Sequence, residues 1–157
     1  MAIEQQVHDL FIAKGWTLCV AEFCTGGALA ARLTRQAGAS RYFLGSLVVY
    51  SNALKTQVLG VSEGLITQHG AVSEEVVRAM LEGTLRLSQS DFALAVTGIA
   101  GPTGGTPTKP VGTVWAGIGN QKGLRQTWQF HISGDRGTVI DQTSELVLNA
   151  LYKAALI

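Results

Sequence analysis

The amino-acid sequence predicts an α/β protein, a three-layer α/β/α sandwich around a mixed central sheet. Three observations predict it. Helical and strand-like patterns alternate along the chain, the arrangement that places helices on both faces of a largely parallel sheet. Two strand-like runs late in the chain, Val111 to Ile118 and Leu124 to Ile132, are joined at Asn120 to Gly123 and add an antiparallel pair. No repeat, low-complexity tract or linker interrupts the 157 residues, so residues 1–157 are expected to form one domain around a sizeable core.

The elements follow in order. Ile3, Val7, Leu10, Phe11 and Ala13 recur at helical spacing over residues 3–14, and Gly15 is a natural stop. Thr17 to Ala21 has strand character. It enters the turn Glu22-Phe23-Cys24-Thr25-Gly26-Gly27, and a helix leaves from Thr25, whose hydroxyl suits an N-cap, to close at Gly38. Tyr42 to Tyr50 carries Phe43, Leu44, Leu47, Val48 and Val49 and reads as a buried strand. Ser51 caps a helix over Asn52 to Leu59, ended by Gly60. Ser62 and Ser73 precede acidic residues and apolar periodicity, and Glu74 to Leu87 is the clearest amphipathic helix of this region. Phe92 to Val96 is a continuous apolar run, expected as a central strand, that opens into the Gly-rich loop Thr97 to Gly105. The last helix spans Arg136 to Ala155.

Composition excludes several function classes. Hydrophobic residues at 46% against 15% charged describe a globular chain and not a disordered one. A net charge of +1 gives no reason to expect nucleic acid as a main partner. No apolar run approaches a membrane span and no signal pattern opens the chain, so no membrane partner is expected. Cys19 and Cys24 are the only cysteines, which rules out a disulfide framework and suits a reduced, cytoplasmic compartment. His8, His69 and His131 form no metal-ligand spacing with them. The apolar strands favour a homo-oligomer.

Ligands of such folds gather where turns leave the carboxyl ends of strands. Three stretches qualify: 21–27, 50–55 and 97–105. Lys55, in the first turn of its helix, would face the positive end of the helix dipole. With desolvation that lowers its pKa toward that of a general base; the alternative is a solvated lysine beside a core Tyr50. The loop 97–105 either cradles a phosphate on successive backbone amides or is a flexible connection, and it matches neither the P-loop nor the dinucleotide pattern. Thr97, Thr103 and Thr106 add hydroxyls. Asp135 is a helix cap by type, and Arg136 beside it can clamp an anion, with Lys109 a weaker candidate. Glu22 is a strand-end carboxylate or a partner for one of these cations. Cys24 at a helix amino terminus is either an activated thiol or a buried structural one.

Taken together, Ala-Glu-Phe-Cys-Thr-Gly-Gly (21–27), Val-Tyr-Ser-Asn-Ala-Leu-Lys (49–55), Gly-Ala-Val-Ser-Glu (70–74), Thr-Gly-Ile-Ala-Gly-Pro-Thr-Gly-Gly (97–105), Lys-Pro-Val-Gly-Thr-Val-Trp (109–115) and Gly-Asp-Arg (134–136) resemble the CinA carboxy-terminal domain family. The resemblance covers nearly the whole chain and is to the stand-alone form. It implies a nicotinamide mononucleotide deamidase of the pyridine nucleotide cycle, releasing nicotinic acid mononucleotide and ammonia with no metal and no cofactor. It also implies a catalytic serine in the first motif, Lys55 as its base, and Tyr50 as helper. The substrate would rest against Glu22, Cys24, Thr25, Gly26, Gly27, Thr97, Gly98, Gly101, Gly104, Gly105 and Arg136, with oxyanion-type N–H groups from Cys24 to Gly27 and the phosphate held by the loop 97–105 with Arg136.

One position departs. Where the family motif has serine, this chain has Phe23, which carries no atom that can attack a carbonyl. Three accounts fit: a substitution in an otherwise active enzyme, a homologue that binds nucleotide without cleaving it, or replacement of the serine by Thr25, Cys24 or a Lys55-activated water.

Overall fold

The computed structural model describes residues 1–157. Five strands, β1 (Leu18–Glu22), β2 (Phe43–Val48), β3 (Phe92–Gly98), β4 (Thr113–Asn120) and β5 (Arg125–His131), form one sheet in the order β2-β1-β3-β4-β5. The first three are parallel, while β4 and β5 run antiparallel to their neighbours. Helices α1 (Ile3–Lys14), α2 (Ala28–Thr34) and α6 (Arg136–Ala155) cover one face. Helices α3 (Asn52–Leu59), α4 (Glu63–His69) and α5 (Glu74–Ser88) cover the other. This is the expected three-layer sandwich on a mixed sheet.

Local chemistry explains most boundaries. The hydroxyls of Ser51, Ser62 and Ser73 accept from the N–H groups of Leu54, Leu65 and Val76, and the Asp135 carboxylate accepts from Thr138, so each caps its helix. Gly15 closes α1 in the left-handed conformation. Every residue of β1 and β3 is buried, as their unbroken apolar runs require of strands covered on both faces. In α5, Val76, Val77, Met80, Leu81, Thr84 and Leu85 form the buried stripe. Gly83 on the same helix lets α3 approach closely: a β-carbon there would lie 2.0 Å from the Leu59 carbonyl oxygen. That close crossing fixes α3, the carrier of Lys55, against α5.

The structure departs from expectation at β2, at the helix after the first turn and at the end of β3, and shifts the bounds of β1, β4 and β5 by one or two residues. β2 is an edge strand and only half-buried, because the strand order leaves it with a single neighbour. Leu44 and Val48 are exposed on it. The helix after the first turn begins at Ala28 and ends at Thr34, and a separate 3-10 turn, Ala39–Arg41, follows Gly38. Its N-cap position is held by Gly27, with no side-chain cap. β3 runs on through Thr97 and Gly98, whose antiparallel partners Trp115 and Val114 keep them in the ladder.

Candidate functional site

Because β1, β2 and β3 are parallel, the turns that leave them emerge at one edge of the sheet. A cleft of about 660 Å³ opens there. Phe23 and Cys24 line it from the turn after β1, Tyr50 from the end of β2, and residues 98–101 with Thr103 and Gly104 from the loop after β3. The end of α4 and the connection to α5, residues 68–72, form a further wall. Thr106, Thr108, Lys109 and Arg136, the first residue of α6, complete it. No carboxylate lines this cleft.

Phe23 is the hinge of the arrangement. Its ring meets Tyr50 edge to face, with centroids 5.1 Å apart. Behind it, the Lys55 ammonium lies 3.7 Å from the Phe23 ring centroid. Lys55 is 0% exposed, and its Nζ has no hydrogen-bond partner. Burial pushes the amine down to about 8, against 10.5 for an ordinary lysine. Lys55 itself is absent from the cleft lining, since the benzyl group stands between its amine and the open space.

Glu22 is the strand-end carboxylate of β1 and not a partner for a cation. Its fully buried carboxylate accepts from the Thr25 and Ser46 hydroxyls at 2.6 Å each. It also accepts the backbone N–H groups of Gly27, Leu29 and Ala30. It pairs with no cation and caps α2 from seven or eight residues upstream, where the Thr25 hydroxyl had been expected to do so. Thr25 donates its hydroxyl proton to Glu22 instead. The amide donors of Gly26 and Gly27 are likewise spent, on the Phe23 carbonyl and on Glu22. They are therefore not free to serve as an oxyanion hole.

Of the residues expected to touch substrate, Cys24, Gly98, Gly101, Gly104 and Arg136 line the cleft. Glu22, Thr25, Gly26, Gly27, Thr97 and Gly105 do not; they build its frame. Thr97 is buried and donates its hydroxyl to the Ala71 carbonyl, tying β3 to the wall 68–72. Gly98 permits close contact: a β-carbon there would fall 2.9 Å from the Cys24 sulfur and 2.8 Å from Val114. Cys24 is buried, and desolvation pushes its thiol up to about 12, the mark of an inert structural thiol. Arg136 donates to the Tyr50 hydroxyl at 2.9 Å and to the Gly101 carbonyl at 2.8 Å, joining three of the converging segments.

Sequence reasoning assigned no role to the wall 68–72, although Gly70 to Glu74 is one of the motifs. Lys109 donates to the His69 carbonyl across this wall, and the His69 imidazole lies 3.5 Å from Glu75. No group of three or more His, Cys, Asp or Glu side chains assembles anywhere in the chain. No helix is long and apolar enough to cross a membrane.

Comparison with known proteins gives the family. The chain is 43% identical over 156 residues to the nicotinamide-nucleotide amidohydrolase PncC of Shigella flexneri, covering 99% of this chain and 94% of that protein. It is 51% identical over 154 residues to a CinA-like protein of Citrifermentans bemidjiense, covering 98% of this chain but 37% of the relative. The chain thus spans a little over a third of the CinA-like relatives and nearly all of the amidohydrolase. Among solved structures, a competence damage-inducible protein of Klebsiella pneumoniae superposes with a TM-score of 0.92 at 38% identity, covering 96% of this chain and 93% of that one. One from Agrobacterium tumefaciens gives 0.94 at 34% identity, with 96% and 92% covered. The family model described as the CinA C-terminal domain matches residues 1–155, and the chain belongs to that family.

Proposed function

We propose that the cleft is a nicotinamide mononucleotide amidohydrolase site in which Phe23 occupies the attacking position. One observation carries the reading. Lys55 is a fully buried amine, lowered to about 8, with no hydrogen-bond partner, and it faces the side chain of residue 23. A buried orphan amine is costly, and it makes sense as a base awaiting a hydroxyl proton. At pH 7 a lysine of that pKa is neutral in roughly a tenth of molecules, enough for a general base.

With serine at position 23 the chemistry closes. Lys55 takes the hydroxyl proton as the serine oxygen bonds to the carboxamide carbon. The Lys55 ammonium returns a proton as the C–N bond breaks and ammonia leaves. Water then attacks the resulting ester, giving its proton to Lys55, and the released serine oxygen regains it as the carboxylate departs. Tyr50, beside residue 23 and anchored by Arg136, orders the reacting end of the substrate.

The chain as it stands has no substitute nucleophile in place. The Cys24 thiol is too basic, the Thr25 hydroxyl is committed to Glu22, and the Phe23 ring separates the Lys55 amine from cleft water. The expectation is nucleotide binding with turnover blocked, which also meets the reading of a non-catalytic nucleotide-binding module.

Ammonia release from nicotinamide mononucleotide, measured for this chain and for Phe23→Ser, tests it. The serine variant is expected to exceed the parent by a factor of about 10³ or more. Adding Lys55→Ala should remove the gain. Turnover by the parent at the variant's rate would show that position 23 need not supply the nucleophile. Absence of nucleotide binding by both would refute the ligand.

A further inference from the structure

The cleft presents unpaired donors and acceptors that are already served. Val72, Ala100 and Gly101 are buried residues of its lining, and their N–H groups donate to nothing in the protein. Buried N–H groups without a partner are rare. The carbonyls of the same walls are engaged: His69 accepts from Lys109, Gly70 from Ser73 and Ala71 from Thr97. Ile99 accepts from the Gly112 N–H and Gly101 from Arg136. No carboxylate lines the cavity. Such a lining suits a ligand that accepts hydrogen bonds and brings few donors of its own.

The same imbalance holds beside residue 23. Tyr50 packs edge to face on the Phe23 ring, and its hydroxyl oxygen accepts from Arg136 at 2.9 Å. The hydroxyl proton goes to no protein group and is left to donate to a ligand. The Phe23 carbonyl is taken by the Gly26 N–H. Arg136 beside Tyr50, and Lys55 at 3.7 Å from the Phe23 ring centroid, put two cations around this position. The resemblance gives Arg136 to the phosphate, whereas its bond to Tyr50 sets it at the reacting end.

We infer that this chain is selective for the acid over the amide: it binds nicotinic acid mononucleotide in preference to nicotinamide mononucleotide, the carboxylate being received by the Tyr50 hydroxyl with the Arg136 guanidinium behind it. The inference rests on the reading of the cleft as a nicotinamide mononucleotide site. The two nucleotides share the pyridine ring, the ribose and the phosphate, and differ only in carboxylate against carboxamide. A carboxylate only accepts, so it takes the Tyr50 proton and faces two cations. A carboxamide brings two N–H donors. Next to residue 23 they meet engaged carbonyls and a hydroxyl whose oxygen already accepts from Arg136. Donors that lose water and gain no acceptor cost binding energy. A chain with Phe23 is then a reader of the deamidated nucleotide and not of its precursor.

Calorimetric titration of this chain with each nucleotide at pH 7 tests the inference. The acid is expected to bind more tightly by roughly tenfold or more. Tyr50→Phe keeps the ring against Phe23 and removes the donor, while Arg136→Met removes the charge behind it. Each should weaken the acid more than the amide and bring the two affinities to within about threefold of one another, since a hydrogen bond to a charged group is worth more than one to a neutral group. Both residues are exposed, and thermal unfolding verifies the fold of each variant. Equal affinities in the parent, or tighter binding of the amide, overturn the inference and leave the nucleotide reading standing. An acid preference unchanged in either folded variant overturns it as well, because a side chain that only shapes the cleft moves both ligands alike. A parent that binds neither nucleotide overturns the reading of the cleft and this inference with it.

Discussion

Two fully buried charged side chains flank residue 23, and the protein treats them oppositely. Glu22, immediately before it, receives hydrogen bonds from Thr25, Gly27, Leu29, Ala30 and Ser46. Lys55, against its ring, receives nothing but the π-face of Phe23. The carboxylate ties the end of β1 to the first turn of α2 and to β2. The amine ties nothing. A side chain whose task is architecture is saturated with partners, whereas a side chain kept for chemistry is left unpartnered. The difference also explains how position 23 can carry a benzyl group without loss of the turn. The turn is shaped by Glu22 and the backbone, neither of which depends on the side chain at 23.

Breaking the saturated side should produce the largest effect. Glu22→Gln turns an acceptor of five hydrogen bonds into a group whose amide donors face other donors in a dry site. A loss of about 2–4 kcal/mol is expected, read from the midpoint of urea unfolding. A change below about 0.5 kcal/mol would mean that the Glu22 network is incidental to the fold.

Relieving the orphan side should act in the other direction. Lys55→Met keeps an unbranched chain and removes a desolvated charge, so the fold should gain about 1–3 kcal/mol at pH 7, less whatever the ring contact contributes. The pH dependence has a definite sign. The native Lys55 pKa, about 8, lies below the ordinary 10.5. Between those values the unfolded chain binds more protons than the native one, so stability of the parent rises with pH there. The advantage of methionine is therefore full below pH 8, shrinks between pH 8 and 10.5, and is gone above. Unfolding curves of both proteins at pH 7 and pH 10 check it, and an advantage that grows with pH would reverse the sign.

How much of this was legible in the sequence depends on the distance over which each feature is determined. Ser51, Ser62, Ser73 and Asp135 cap the helices they precede because a cap acts over three residues. The central strands were legible from their unbroken apolar runs. The edge position of β2 was not, since Phe43 to Val49 is apolar enough for a central strand and only the strand order decides. Glu22 hid its role for a similar reason. Its partners reach as far as Ser46, 24 residues on, and a local reading preferred the nearer Thr25 as cap. Of the site, position 23, Tyr50 and Arg136 on the cleft and Lys55 behind it were picked out, whereas the wall 68–72 depends on Thr97 reaching the Ala71 carbonyl 26 residues away. Nothing in the α3 sequence signals that Lys55 is sealed beneath the residue-23 side chain.

The smallest expected effect sharpens the contrast most closely. Ser46→Ala removes one donor of the five from Glu22 and leaves the carboxylate with four partners. Ser46 lies on the half-buried edge strand, so water can approach the vacated position. The loss should be about 1 kcal/mol, well below that of Glu22→Gln. If the serine matters only through the carboxylate, the two losses should not add. In a double-mutant cycle Ser46→Ala should then cost less in the Glu22→Gln background than alone, with a coupling of about 0.5–1 kcal/mol. Full additivity would show that Ser46 stabilises β2 by some other contact, and that the carboxylate's hold on the turn comes from Thr25 and the α2 amides.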